Sequence, residues 1–154
     1  MRYSPGGRSV APGLAVGYAV LINQQQLLGL LRHIVNVRVE GAGQVVGGEP
    51  QGLVLPPHVF LDATNDMSIA QDELFGPVVS IIRVRGEDEA PKVANATSYG
   101  LSSAVPTRDV ERGARFALRA QAGMTHINDS PVNNLANSPF GGEKNSGLGR
   151  YNGG

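Results

Sequence analysis

Val78-Val79-Ser80-Ile81-Ile82-Arg83-Val84 is the stretch on which the fold turns. A short run dominated by β-branched residues predicts a strand buried on both faces of a sheet. Beyond it, Asp88 can cap a helix that runs to about Ser98-Tyr99-Gly100. That cap puts Pro91 at the third helical position, where a missing N–H costs nothing because the first amides have no helical partner. Leu101–Val105 predicts a further strand, Asp109–Ala120 a helix, and Met124–Asn128 a last strand. Ahead of the opening run, Asn23 with Gln26 three residues on is a variant capping box. Leu27, Leu31, Ile34 and Val35 then form one apolar helix face, and Gly41 and Gly43 stop the helix. Gln44–Val46 reads as a short strand, and Val54–Leu61 as a strand made irregular, or an edge, by Pro56-Pro57. Strand and helix alternate, which predicts an α/β fold with a mostly parallel sheet flanked by helices.

Outside this alternating region the chain carries less pattern. The first twenty residues, rich in Gly and Pro, read as irregular. No charge falls between Ser9 and Leu31, but the apolar part, Val10–Ile22, is shorter than the ~20 residues a membrane helix needs. Arg2 and Arg8 precede it without a clear small-residue cleavage site after it. The stretch reads as a buried strand or loop of a cytoplasmic protein. After Asn128 comes a long segment without periodicity, and long loops within compact domains are usually functional.

Composition narrows the chemistry. The 154 residues suit one domain by length. With 13 basic and 13 acidic side chains, the formal net charge is zero, so there is no electrostatic footprint for nucleic acid or an anionic membrane. The absence of cysteine excludes disulfides, Cys-ligated metal and thiolate catalysis within these residues. Gly41-Ala42-Gly43 lacks the third glycine of a dinucleotide fingerprint and follows a helix, and Gly142–Ser146 has the wrong order for a P-loop. His33, His58 and His126 stand far apart, without a second metal ligand at helical spacing. No G-x-S-x-G nucleophile elbow occurs. Arg108, Arg112, Arg115 and Arg119 form one stripe, which reads as a solvated helix face since Asp109 and Glu111 share the helix.

Two segments remain. Asp72-Glu73-Leu74-Phe75-Gly76-Pro77 places a carboxylate two residues from an aromatic ring, just ahead of the opening strand. Such a pair can hold a sugar diol, the carboxylate accepting two hydroxyl hydrogen bonds while the ring packs on the sugar. The alternative makes Glu73 a surface acid and Phe75 a core residue. The second segment, Ser138–Arg150 (SPFGGEKNSGLGR), has four glycines around Lys144. Alone it is a tight backbone crossing without assignable chemistry.

Together these residues resemble the C-terminal part of the NAD(P)-dependent aldehyde dehydrogenase superfamily. The pieces that carry the resemblance are Leu21-Ile22-Asn23 with Gln26, Gly47-Gly48, Met67–Val78 (MSIAQDELFGPV) and Asp88–Leu101 (DEAPKVANATSYGL). Thr107-Arg108-Asp109, Ala122-Gly123, Ile127-Asn128 and Pro139–Arg150 (PFGGEKNSGLGR) complete the set. No single piece is specific; their order and spacing over about residues 20–150 are.

The resemblance implies an enzyme that oxidises an aldehyde to a carboxylic acid with NAD or NADP. In the family a cysteine thiolate adds to the carbonyl, hydride passes to the nicotinamide, and a glutamate activates water. That cysteine, the general-base glutamate, the oxyanion asparagine and the dinucleotide domain precede the region resembled, so no catalytic residue carries over. Glu73 matches the acid that binds the nicotinamide-side ribose, Phe75 packs beside it, and Phe140 matches a ring near the nicotinamide and aldehyde pocket. The loop Asp129–Ser138 takes the place of the substrate-tunnel wall, and Asn128–Arg150 is similar to members acting on aromatic aldehydes.

Residues 1–19 depart from the family, and Pro91 and Pro106 stand where it has apolar non-proline residues. The reading is a divergent, irregular segment over 1–19 and a partial catalytic domain over 20–154, lacking the cofactor domain and the C-terminal association strand. Alone it is expected to be inactive and to bind dinucleotide weakly or not at all. The alternatives are a non-catalytic module that docks on a full-length aldehyde dehydrogenase and a functionless gene remnant. Neither metal, nucleic acid nor membrane is an expected partner.

Overall fold

A computed structural model of the chain describes residues 19–152. Within it the chain divides into two units, Met1–Ile81 and Ile82–Gly154. The irregular segment expected over 1–19 lies outside the described residues, apart from Ala19, which opens the first strand.

The first unit runs β1 (Ala19–Val20), α1 (Gln24–Val39), β2 (Gly43–Val46), β3 (Val54–Leu55), β4 (His58–Leu61), α2 (Ser68–Gln71) and β5 (Val78–Ser80). Asn23 caps α1 as predicted: its side-chain oxygen accepts from the Gln26 amide at 2.9 Å. The buried stripe is Leu27, Leu30, Ile34 and Val37, whereas Val35 is exposed and Leu31 only half-buried. This corrects the expected face. Leucines at 27, 28, 30 and 31 support several overlapping stripes, and the packing partner selects among them. Gly41 closes the helix at φ +102°, in the left-handed region where glycine is unstrained.

β4 forms the centre of a three-stranded sheet, antiparallel to β2 and parallel to β5, with α2 in the crossover. The predicted strand Val54–Leu61 is therefore two strands. Pro56-Pro57 lies between them, where no ladder donor is needed, and the half after it is central rather than an edge. Phe60, Leu55, Leu30 and Val37 fill the core; complete burial of such side chains stabilises by ~1.5–3 kcal/mol each. The opening run is also corrected. Only Val78–Ser80 is strand, it lies at the sheet edge, and Val79 and Ile81 are 56% and 43% exposed. β-Branching marks side chains that fit a pleated, half-buried surface and does not say that both faces are covered.

The second unit contains α3 (Glu89–Asn95), β6 (Tyr99–Gly100), β7 (Ser102–Val105), α4 (Val110–Ala117), β8 (Met124–Ile127), β9 (Phe140–Gly141), β10 (Glu143–Lys144) and β11 (Arg150–Tyr151). β7 and β8 pair in parallel around α4, a strand–helix–strand crossover. α4 is shorter than predicted, though Asp109 caps it by accepting from the Arg112 amide at 3.0 Å. Asp88, in contrast, has helical backbone and makes no cap bond; its carboxylate pairs with Arg119 at 3.1 Å. α3 ends at Asn95, and Tyr99–Gly100 pairs with β10 instead of extending the helix. Pro106 stands just past β7, so it interrupts no ladder bond.

The α/β class stands. The parallel pairings are the two crossover units, β4–β5 and β7–β8, while β1–β3, β2–β4, β6–β10 and β9–β11 are antiparallel. The expected mostly parallel sheet is thus replaced, among the described residues, by five small sheets. Two of the short antiparallel pairs arise in the glycine-rich closing segment, where helical and strand periodicities are both absent. Among the described residues no helix is long and apolar enough to cross a membrane.

Candidate functional site

The segment after α2 displays the predicted carboxylate and ring. Glu73 is exposed and Phe75 is 75% exposed, which overturns the alternative of Phe75 as a core residue. Phe75 has φ +47°, a left-handed conformation that costs an L-residue about 1–2 kcal/mol. Two neighbours hold it there. The side-chain amide of Gln26 donates to the carbonyls of Leu74 (2.8 Å) and Phe75 (3.1 Å). Gly76 then packs directly on Leu30, so closely that a Cβ would overlap the leucine side chain. The result is a cavity of about 650 Å³ with Asn23, Gln26, Gly29, Glu73 and Phe75 in its walls.

His33 borders the same cavity. Its Nδ1 lies 3.3 Å from Ser68 Oγ and its Nε2 3.9 Å from Asp72 Oδ2. Just ahead of α2, a hydrogen bond from the Thr64 side chain, with a smaller backbone contribution, holds the Asp66 carboxyl below its usual value.

Phe140 belongs to a second cavity, of about 830 Å³, within the second unit. Met124, His126, Asp129, Asn133 and Leu135 share its walls, so the predicted tunnel-wall loop faces the predicted pocket ring. Asn133 donates to Asp129 at 2.6 Å, bracing that loop. His126 Nε2 is buried without a hydrogen-bond partner. The glycines that frame Phe140 are backbone crossings, as the sequence suggested. A Cβ on Gly142 would overlap the Ser146 carbonyl, and one on Gly141 that of Gly149. Lys144, left without a role by sequence, donates to the Asn95 (2.6 Å) and Thr97 (3.0 Å) carbonyls at the end of α3. A cation there satisfies carbonyls that have no helical partner.

The arginine stripe is exposed, as a solvated helix face should be, and three of its four members are paired. Arg112 and Arg115 meet Glu87 at 3.1 and 3.6 Å, and Arg119 meets Asp88. His58 is 2% exposed in β4, its Nδ1–H donating to the Pro56 carbonyl at 2.7 Å. Gln26 and His33 are the site residues that sequence reasoning missed: in sequence Gln26 is part of a cap and of the family resemblance, and His33 only a metal candidate. Their partners lie 48 and 35 residues away, beyond any local pattern.

An exposed carboxylate beside an exposed ring, on the wall of an open cavity, fits a ribose: two acceptor oxygens for a diol and an apolar face for the sugar. The second cavity fits a small, largely apolar molecule against Phe140.

Comparison with known proteins gives the family. The sequence profile of the aldehyde dehydrogenase family matches residues 7–154. Vanillin dehydrogenase of Corynebacterium glutamicum is 47% identical over 149 residues, which are 97% of this chain and 30% of that protein. The salicylaldehyde dehydrogenase of Pseudomonas putida G7, solved with salicylaldehyde, superposes with a TM-score of 0.81 at 38% identity, over 86% of this chain and 28% of that one. A Mycobacterium tuberculosis aldehyde dehydrogenase solved with NAD+ gives a TM-score of 0.81 at 40% identity, over 86% and 28% of the two chains. The chain thus spans about 30% of the length of the curated relatives it matches. It belongs to the aldehyde dehydrogenase family.

Proposed function

With that membership as premise, we propose that the chain is the ribose-gripping and substrate-lining part of an NAD(P)-dependent enzyme that oxidises aromatic aldehydes. When bound, the cofactor supplies the hydride acceptor. Glu73 accepts the hydroxyls of its nicotinamide-side ribose, Phe75 packs on the sugar, and Phe140 with the Asp129–Ser138 loop walls the aldehyde pocket. The observation that carries this reading is Phe75, three-quarters exposed at positive φ beside Glu73. A ring held out of the core at conformational cost marks a surface kept for binding. The names of the relatives, which act on vanillin and salicylaldehyde, support an aromatic substrate.

These 154 residues contain no cysteine and so no thiol nucleophile. The purified chain, given NAD(P) and a panel of aromatic aldehydes, is expected to form no NAD(P)H above blank. NAD+ affinity is expected at roughly millimolar or weaker, since only the ribose end is gripped. In saturation-transfer NMR the nicotinamide-side ribose protons should report contact, and Glu73→Gln should abolish it. Micromolar affinity, aldehyde turnover, or a signal unchanged by Glu73→Gln would each sink the proposal.

A second reading has its own observation. Val79 and Ile81 expose apolar surface at and just beyond the edge strand β5. Such an edge accepts a partner strand, which favours a module that docks on a full-length aldehyde dehydrogenase. Co-purification with such an enzyme tests it.

A further inference from the structure

His33 stands in α1 and reaches both ends of α2. Its Nδ1 is 3.3 Å from the hydroxyl of Ser68, which opens that helix. Its Nε2 is 3.9 Å from the carboxylate of Asp72, which closes it and immediately precedes Glu73. The imidazole is 26% exposed and the Asp72 side chain 57%. At 3.9 Å the second contact is too long for a hydrogen bond but within the reach of an ion pair. The Ser68 contact survives in either charge state, because the hydroxyl can donate to Nδ1 or accept from it. The Asp72 contact differs: a charged ring adds Coulomb attraction to the carboxylate, and a neutral ring does not.

We propose that His33 is a pH-responsive positioning residue, fastening the end of α2, and with it Glu73, against α1 when the imidazole is charged. Imidazoles exchange their proton between pH 5 and 8. The charged groups around the ring are Asp72 at the end of α2, Glu73 just after it and Arg32 on α1 itself, the last two sharing the ring's cavity. The Asp72 carboxylate, 3.9 Å from Nε2, lies within ion-pair reach. Falling pH therefore tightens the Asp72–Glu73 segment and rising pH loosens it. The functional meaning of this positioning rests on the ribose-binding reading of Glu73, while the device itself does not.

The test reads the segment without cofactor. The Asp72 amide donates to the Ser68 carbonyl at 2.8 Å, so its hydrogen exchange reports whether α2 is closed. In the full chain, corrected for intrinsic rates, that exchange is expected to be about two- to fivefold slower at pH 5.5 than at pH 8, the range an exposed ion pair supplies. Its midpoint should coincide with the titration of the His33 ring followed by NMR. Asp72→Asn, which leaves the Ser68 contact in place, and His33→Gln should each abolish the pH dependence. A response that persists in His33→Gln, or a wild-type segment that ignores a titrating His33, would overturn the proposal. Contact between NAD+ and Glu73 without this response counts against the device alone; the response without NAD+ contact counts against the ribose reading alone.

Discussion

Gly123 backs directly onto the carbonyl oxygen of Gly141, so that a β-carbon on Gly123 would overlap it. This crossing sets the start of β8 against β9, and therefore Met124 and His126 beside Phe140 in one cavity wall. Backbone cannot swing aside as a long side chain can, so the site has no room to adapt.

Gly123→Ala is accordingly expected to destabilise the chain by about 2–4 kcal/mol. Gly29→Ala is the control: it lies within α1, and a Cβ there meets nothing within 4 Å. It should stabilise by about 0.5–1 kcal/mol through helix propensity. Urea denaturation of the two variants beside wild type checks both signs.

Gln26→Met keeps the side chain's length but removes both donors to the Leu74 and Phe75 carbonyls. A loss of about 1–2 kcal/mol is expected. The amide resonances of residues 74–76 should shift furthest, because Phe75 loses the bond that holds its positive φ. Unchanged resonances there would show that Leu30 and Gly76 alone hold the segment.

Asn23 and Asp88 both read as helix caps in sequence, and only the first makes the bond. Asn23→Ala should cost about 1 kcal/mol. Asp88→Ala should change stability by no more than about 0.5 kcal/mol, the worth of its exposed pair with Arg119. Equal losses in thermal denaturation would contradict the assignment.

Thr64→Val should raise the Asp66 carboxyl towards its ordinary value, because the Thr64 hydrogen bond is the largest cause of its depression. The linkage follows from that sign. A depressed folded-state value contributes stability that is present above the unfolded value and is lost as pH falls through the folded one. The wild-type advantage over Thr64→Val should therefore fade in acid, below the ordinary aspartate range, and hold at neutral pH. Carboxyl NMR titration and acid melts give the two readouts.

Much of the local fold was legible. Asn23 announces its helix because a cap and its amide lie three residues apart, and Gly41 ends α1 by a freedom that glycine alone has. The Glu73–Phe75 pair was visible as a juxtaposition, but whether Phe75 faces core or solvent was not. That choice rests on Gln26, nearly fifty residues earlier in the chain. The short strands of the closing segment were hidden for a related reason. Two-residue ladders carry no periodicity, and their partners come from Tyr99–Gly100 or from within the segment itself.

By itself, then, the sequence determined the alternation of strand and helix, the absence of a thiol and the membership of a family, because each depends on residue types and their spacing along the chain. Tertiary structure decided which stripe of α1 is buried, that Val79 and Ile81 stand exposed, and that His33 meets Ser68 and Asp72. Burial and long-range hydrogen bonds depend on what lies opposite a side chain in space, and residues far apart in sequence supply it.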